Sequence, residues 1–130
     1  MQNEVFSRQE VNPTRVRVES RATMPGVPQT GLTVHILLKP EWIRLRSEDD
    51  RSVGQVKFFT ALFDSNGNYV DGTKKEFELR LDPRELAEVQ SRGISVLTDF
   101  KVPSGEYLIR EVVADAIGLI SSQNQPIAVP

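Results

Sequence analysis

Hydrophobic and polar residues alternate with a period of two along most of this chain, which is the pattern of half-buried β-strands. The clearest runs are residues 14–20, 31–39, 74–81 and 94–102, and in each most of the apolar side chains fall on one face. Residues 55–64 carry large apolar side chains on both faces, as expected for a central strand. Turn residues recur roughly every eight to twelve positions, and this spacing predicts an Ig-like antiparallel β-sandwich of roughly seven to nine strands.

Three further segments alternate in the same way, and two loops separate the runs. Residues 41–46 and 107–115 each predict a strand, and residues 119–129 predict one or two short closing strands. The closing segment contains a proline, which indicates a sheet edge. Residues 24–31 carry two Pro and two Gly, and residues 47–54 are rich in charge, so both are predicted to be loops.

One segment interrupts the β pattern with signals for a helix. Asp82 is suited to the N-cap, Pro83 to the first helical position and Glu85 to the third, which together form a capping box. Gly93 is a suitable C-terminal cap. The all-β fold is therefore expected to contain one short helix, at about residues 83–92, that connects two strands.

The first thirteen residues are mostly polar, and apolar side chains such as Val5, Phe6 and Val11 are sparse among them. Residues 1–13 are predicted to be a flexible tail, and residues 14–130 a single domain, because domains usually hold about 100–150 residues. The tail has no apolar stretch of the kind that a secretory signal contains, so no signal peptide is expected in this chain.

Composition excludes several classes of function. The chain has no Cys and one His, which excludes disulfide frameworks, thiolate metal sites and multi-His metal sites. Its net charge is −2, which gives no overall attraction to nucleic acid or to an anionic membrane. No apolar run approaches the ~20 residues of a membrane helix. Catalytic motifs such as G-x-S-x-G and H-E-x-x-H are missing, so we expect no enzyme, no metal and no cofactor.

Charge is distributed unevenly, and this suggests a binding surface. Residues 1–46 hold seven Lys and Arg against four Asp and Glu, whereas residues 47–130 hold nine against fourteen. Trp and Arg are enriched at binding hot spots. The candidate binding residues, which would form a basic stripe, are Trp42, Arg44, Arg46, Arg15 and Arg17. The stripe would bind a protein or, as the alternative, a glycan; the simplest interpretation is that Trp42 packs at the domain edge and the Arg side chains are solvated.

Residues 64–68 begin like a calcium-binding loop, D-x-N-x-N. The sixth and twelfth positions of such a loop need Gly and Glu, but here they are Tyr69 and Lys75. The sequence therefore favours a hairpin in which Asp64 accepts hydrogen bonds from the turn and Gly67 adopts a positive φ.

The remaining titratable residues give little sign of chemistry. His35 lies on the face opposite the apolar residues of its strand, and the carboxylates at residues 48–50, with Glu76 and Glu78, are expected to be solvated. Glu76 and Glu78 would also suit an edge strand. Glu111 is the exception, because it falls on the inward face of its strand; a cation across the strand, a bulge or a strand end would each accommodate it.

Residues 103–115, PSGEYLIREVVAD, resemble the P-x-G-x-Y entry to a late strand in many Ig-like bacterial domains. The resemblance places Tyr107 at a tyrosine corner, whose hydroxyl bonds to nearby backbone. The order of KPEWIRLR, VGQVKFFTALFDSNG, LDPRELAEVQSRGI and this strand is similar to the C-terminal β-sandwich region of bacterial von Willebrand factor type A-related proteins. The similarity covers residues 31–130.

This resemblance implies an Ig-like accessory domain that is extracytoplasmic, either periplasmic or secreted, in its parent protein. Proteins of this kind carry a secretion signal and an upstream type A domain, neither of which is found in this sequence. The D-x-S-x-S metal motif of type A domains is also missing, so no metal or adhesive site is implied. The expected function is a non-catalytic interaction or spacer module, with a carbohydrate-binding module that uses Trp42 as the alternative.

Overall fold

The computed structural model describes residues 10–23 and 30–129, and its described part is an antiparallel β-sandwich, as the sequence predicts. It contains eight strands and one α-helix. In chain order these are β1 (Val16–Thr23), β2 (Thr30–Leu38), β3 (Arg46–Glu48), β4 (Arg51–Asp64), β5 (Tyr69–Leu81), α1 (Pro83–Arg92), β6 (Ile94–Val102), β7 (Gly105–Asp115) and β8 (Leu119–Val129). Two short 3-10 turns, Pro13–Arg15 and Pro40–Trp42, precede β1 and β3.

The strands form two sheets. The smaller sheet has the order β1-β2-β6. In the five-stranded sheet, β4 lies between β5 on one side and β7 on the other, and β8 pairs with the far side of β7. The short strand β3 pairs with the first residues of β4. Residues 55–64 are apolar on both faces because the inward residues of β4 join the main core, whereas Phe59, Ala61 and Phe63 belong to a second apolar cluster with Val112 of β7.

Alternate residues of both sheets fill one hydrophobic core, as the period-two pattern requires. The inward residues of β2 have no exposed surface, and neither have Leu62 of β4 and Ile109 of β7. Outward positions of β6, by contrast, are exposed at every second residue. The fully buried residues of β2 are Leu32, Val34, Ile36 and Leu38.

Side chains of β8 join the two sheets along one side of the sandwich. The Gln123 Nε2 donates to the carbonyl of Val16 at 2.6 Å, and the Gln125 Nε2 donates to the carbonyl of Val18 at 3.3 Å. Both carbonyls belong to β1, an edge strand of the smaller sheet in the described structure. These bonds satisfy backbone acceptors that an unpaired edge would otherwise expose.

The helix begins and ends where the sequence predicts. Asp82 accepts from the backbone N–H of Glu85 at 2.8 Å, and the Glu85 carboxylate accepts from the backbone N–H of Asp82 at 3.1 Å. Gly93 ends α1 with a φ of 78°. A Cβ at this position would clash with the carbonyl oxygen of Leu38, so both the backbone angle and the available space require glycine.

Two predictions about residues 41–54 are wrong. Residues 41–46 do not form a strand, because Pro40 fixes a backbone angle that suits the 3-10 turn and the chain then stays irregular until β3. The predicted charged loop at residues 47–54 is a tight hairpin between β3 and β4. Its turn residues, Asp49 and Asp50, have φ values of 49° and 63°, which Asp tolerates better than most residues.

The N-terminal end of the domain differs from expectation, whereas the closing segment agrees with it. Within the predicted tail, residues 1–9 lie outside the described residues, but Val11 forms a two-way backbone bridge with Ser122 of β8 at 3.0 and 2.8 Å. Residues 10–13 therefore belong to the folded domain. The closing segment is one eleven-residue strand, β8, and its Pro126 lies at a sheet edge as predicted. Most of the predicted loop at residues 24–31 lies outside the described residues, and β2 already begins at Thr30.

Candidate functional site

Arg15 and Trp42 come together, as the candidate binding surface requires. The guanidinium carbon of Arg15 lies 4.0 Å from the centre of the Trp42 ring, which is the geometry of a cation–π contact. The two 3-10 turns position these residues, and the backbone N–H of Lys39 donates to the carbonyl of Arg15 at 3.2 Å to hold the turns together. Trp42 remains 37% exposed, so part of its ring is accessible.

Arg44 forms a structural contact, although its side chain remains 39% exposed. Its Nε and Nη2 donate to the two carboxylate oxygens of Asp115 at 2.6 and 2.7 Å. The same carboxylate accepts from the backbone N–H groups of Ile117 and Gly118 at 2.9 and 3.0 Å. Asp115 thereby shapes the turn between β7 and β8 and fixes Arg44 against it.

The other two candidate arginines also lie beside carboxylates. Arg46 and Glu48 of β3 are 3.1 Å apart, and Arg17 and Glu19 of β1 are 3.7 Å apart. Both pairs are exposed, so each contributes little to stability. The two carboxylates do, however, offset the positive charge of the arginines on the protein surface. The predicted basic stripe therefore consists of one Arg–Trp pair and three ion pairs.

The residues predicted to be structural take the expected positions. Asp64 Oδ1 accepts from the backbone N–H groups of Asn66 and Asn68, each at 2.9 Å, and Gly67 has a φ of 82°. Tyr107 is buried, and its hydroxyl donates to the carbonyl oxygen of Pro103 at 2.7 Å. The hydroxyl thus satisfies a nearby backbone acceptor, as in a tyrosine corner.

Glu111 lies inside the sandwich and is 1% exposed. The Thr60 hydroxyl, directly opposite on β4, donates to Glu111 Oε2 at 2.5 Å, whereas Oε1 has no partner among the described residues. Burial raises the pKa of Glu111 well above its usual range, and the hydrogen bond from Thr60 offsets this only in part. None of the three predicted settings, a cation, a bulge or a strand end, describes Glu111: it lies in the regular middle of β7, and the described residue that meets its carboxylate is Thr60.

Sequence reasoning missed two features. Lys75 lies on the inward side of β5, in register with Phe58, and its ammonium group donates to the carbonyl of Leu97 on β6 at 2.5 Å. An open cavity of about 480 Å³ lies near the β4–β5 hairpin. The alternation of β5 contained a signal for the first feature, since Lys75 occupies an apolar position. The cavity could not be predicted, because it forms where β4, β7 and β8 lie side by side at one end of the sheet, and no local sequence pattern shows this.

The described residues contain no group of three or more His, Cys, Asp or Glu side chains that could hold a metal ion. Within the same part of the chain, no helix is long and apolar enough to cross a membrane. His35 lies on the outer face of the smaller sheet, opposite Glu19 on one neighbouring strand and Leu97 on the other.

Comparison with known proteins shows the class of fold. No family model matches the chain, and no curated protein matches it. Among solved structures, the chain is similar to part of a glycosyl hydrolase family 2 member from Bacteroides cellulosilyticus, with a TM-score of 0.56 and 16% identity over 86% of this chain. It is also similar to part of a putative beta-galactosidase from Bacteroides fragilis, with a TM-score of 0.58 and 14% identity over 90% of this chain.

The chain spans 14% and 16% of the lengths of these two proteins, so the likeness is to one β-sandwich domain of each. A putative ApaA protein from Bordetella pertussis is similar over 94% of both chains, with a TM-score of 0.53 and 10% identity. At these identities the likeness establishes an Ig-like β-sandwich and nothing finer. A link to von Willebrand factor type A-related proteins stays a prediction.

Proposed function

We propose that this chain is a non-catalytic interaction or spacer module of an extracytoplasmic bacterial protein. The observation that carries the proposal is that the candidate reactive and binding groups are engaged within the domain. Arg44 donates two hydrogen bonds to the carboxylate of Asp115, and Glu111 is buried in the core. General acid–base chemistry needs titratable groups that a substrate can reach, and a carboxylate buried between two sheets is not reachable.

The comparisons support the same proposal at the level of architecture. A sandwich of this kind occurs as about one seventh of a glycosyl hydrolase family 2 protein, which is the arrangement of an accessory domain in a larger chain. Function is decided by sites and not by folds, so this support is an analogy. We also propose that the parent protein is related to the von Willebrand factor type A group. The order of the segments at residues 39–46, 53–67, 81–94 and 103–115 supports this part of the proposal.

The parent relationship can be tested on the gene. We expect the coding sequence upstream of this domain to encode a secretion signal and a type A domain with the D-x-S-x-S motif. An upstream region that encodes a cytoplasmic enzyme instead would contradict both the family and the extracytoplasmic location.

A carbohydrate-binding module is the second candidate, and the exposed part of Trp42 favours it. Aromatic rings beside polar groups are suited to sugars, and Arg15 lies against this ring. The chain has one Trp, so tryptophan fluorescence excited above the tyrosine absorption reports on this position alone. Because Arg15 already covers one part of the ring, we favour the spacer or protein-interaction role.

Affinity electrophoresis through gels that contain soluble polysaccharides separates the two candidates. The proposed module should migrate as it does in plain gel, and its Trp fluorescence should not shift when oligosaccharides are added. Trp42→Ala provides the test variant, and Tyr69→Ala, which removes another exposed ring, is the matched control. Retardation that is lost in Trp42→Ala but kept in Tyr69→Ala would overturn the proposal in favour of the carbohydrate-binding role.

A further inference from the structure

The cavity near the β4–β5 hairpin lies at one end of the five-stranded sheet, where three strands end or begin. Its apolar lining includes Phe63, Leu108 and Pro126, which lie side by side across β4, β7 and β8. Its volume of about 480 Å³ falls within the range of known ligand pockets, about 300–1,000 Å³. The cavity is open to solvent on one side, so it is accessible to a group from another molecule.

Two acidic residues, Asp64 and Glu106, are among those that line this cavity. Oδ1 of Asp64 is occupied by the turn, but Oδ2 has no hydrogen-bond donor among the described residues. Within those residues, the side-chain carboxylate of Glu106 likewise has no ion-pair or hydrogen-bond partner. None of the residues that line the cavity is Lys or Arg. The cavity therefore combines apolar surface with negative charge that the described part of the chain does not neutralise.

The carboxylate of Asp64 is held in place before any ligand arrives. Two backbone N–H groups of the hairpin bond to it at 2.9 Å, so its direction is set by the turn. Glu106 follows Gly105 at the start of β7, where its backbone is in register with Ala128 of β8. Groups that are already positioned lose less conformational entropy on binding.

We propose that this cavity binds a Lys or Arg side chain from a segment of a partner protein. The charged end would lie at Asp64 and Glu106, and the methylene groups would pack on Phe63, Leu108 and Pro126. Lys and Arg are suited to such a surface because they combine an apolar stem with a charged head. This inference rests on the interaction module proposed above and gives that module a class of partner.

The proposal can be tested by NMR titration of the ¹⁵N-labelled 130-residue chain with trilysine amide. We expect shifts of backbone amides that are concentrated at residues 63–68, 105–108 and 127–128. Triglutamate should cause none, and added salt should weaken the trilysine shifts because the charges are partly exposed. A neutral oligosaccharide serves as the probe for the alternative ligand.

Matched variants distinguish binding at this cavity from nonspecific attraction of trilysine to a negatively charged surface. Asp64→Asn with Glu106→Gln removes both charges, while the Asn side-chain oxygen can still accept from the turn. We expect trilysine affinity to fall about tenfold, the sum of two modest ion pairs. Glu78→Gln with Glu88→Gln removes the same charge from exposed positions outside the cavity and should leave the affinity unchanged.

Three results would overturn the inference: shifts scattered over the whole acidic surface, equal losses in the two double variants, or a stronger response to the oligosaccharide than to trilysine. Dispersed NMR spectra confirm folding of each variant, so loss of structure cannot be mistaken for loss of the site. If the folded chain binds neither trilysine nor polysaccharide, the cavity is not a binding site, but the chain can still act as a spacer. Retardation by polysaccharide through Trp42 would instead reject the proposed module itself.

Discussion

Glu111 and Tyr107 are buried residues whose polar groups are satisfied in different ways. The Tyr107 hydroxyl bonds to a backbone carbonyl four residues earlier, so it contributes a hydrogen bond at the edge of the core. Glu111 has one hydrogen bond from Thr60 and one oxygen without a partner in the described structure. Burial of a charged carboxylate without a cation is unfavourable, so Glu111 is expected to be protonated over a wider pH range than usual.

Glu111→Gln should change how stability depends on pH. The raised pKa means that the folded state keeps a proton which the unfolded state releases above about pH 4.3. This contribution is fully present below that pH and is lost as pH rises toward the folded-state pKa, at up to about 1.4 kcal/mol per pH unit. Gln cannot titrate, so urea unfolding between pH 4 and pH 9 should show a shallower decline for the variant.

The control for this prediction is Val113→Ala, which removes buried volume from the same strand without changing any titrating group. It should lower stability by a similar amount at every pH. Parallel pH profiles for the wild type and Glu111→Gln would show that this carboxyl group does not titrate differently in the folded state.

Tyr107→Phe should lower the free energy of unfolding by about 1–2 kcal/mol. The substitution keeps the ring in the core and removes the hydroxyl that donates to Pro103, which leaves the carbonyl without that donor. Tyr107→Ala should cost about 3–5 kcal/mol because it also removes the ring. Equilibrium urea unfolding measures both; a wild-type midpoint for Tyr107→Phe would show that the corner contributes nothing.

At the scale of elements, the two sheets have free edges on the side opposite β1 and β8. In the described structure β5 pairs with β4 alone, and β6 pairs with β2 alone. Charged residues on β5, including Glu76 and Glu78, discourage another strand from pairing there, as the sequence predicts. Lys75 protects the edge of β6 in a similar way. Its ammonium group donates a hydrogen bond to the carbonyl oxygen of Leu97, which is then less available to another strand.

Lys75→Met should therefore make the chain associate. It removes the cation from the Leu97 carbonyl and leaves the edge of β6 beside an exposed leucine side chain. We expect sedimentation velocity to show a concentration-dependent increase in mass. Lys74→Met is the matched control, because Lys74 lies on the other face of β5 and pairs with Glu76 at 3.0 Å. Equal association of both variants would mean that lost charge, and not the exposed edge, is responsible.

Asp82→Ala should destabilise the domain by about 1 kcal/mol, which is the usual effect of losing an N-cap. The side chain accepts the backbone N–H of Glu85, and alanine leaves that donor to water. Asp82→Asn retains an acceptor and should lose much less stability. Thermal unfolding compares the two, and equal losses would indicate that the contact with Arg51 at 3.6 Å matters more than the cap.

At the scale of the whole molecule, charge is largely balanced within the domain. The bidentate contact between Arg44 and Asp115 joins the segment before β3 to the end of β7, which are far apart in sequence. Arg15 similarly links the first 3-10 turn to the second through Trp42. Both contacts fix connections outside the sheets, and the Arg44–Asp115 pair also joins a positive charge from residues 1–46 to a negative charge from residues 47–130.

Millimolar Ca²⁺ or Zn²⁺ should leave the Tm unchanged. A ligand stabilises a protein only when it binds the folded state preferentially, and the described residues offer no cluster of metal-binding side chains. Differential scanning fluorimetry with and without each ion is sufficient. An upward shift with Ca²⁺ that disappears in Asp64→Ala would show that the hairpin holds a metal after all.

Local patterns were sufficient for most of the fold. The alternation in β2, β5 and β6 predicted which residues face the core, because side chains of a strand point to opposite faces in turn. The capping box predicted α1 to within a residue at each end, since it depends only on neighbours in the chain. The strand predicted at residues 41–46 was wrong, and the number of closing strands stayed open, because strand length and strand partners depend on the rest of the sheet.

The sequence by itself determined the class of fold, the inward faces, the helix and the hairpin at Asp64 and Gly67, all through contacts between residues close in the chain. The tertiary structure alone decided what each polar side chain meets. It paired Arg44 with Asp115, placed Thr60 against Glu111 and brought Glu106 beside the hairpin. The physical reason is that strand register and sheet packing set these neighbours, and the partners are tens of residues apart in the chain.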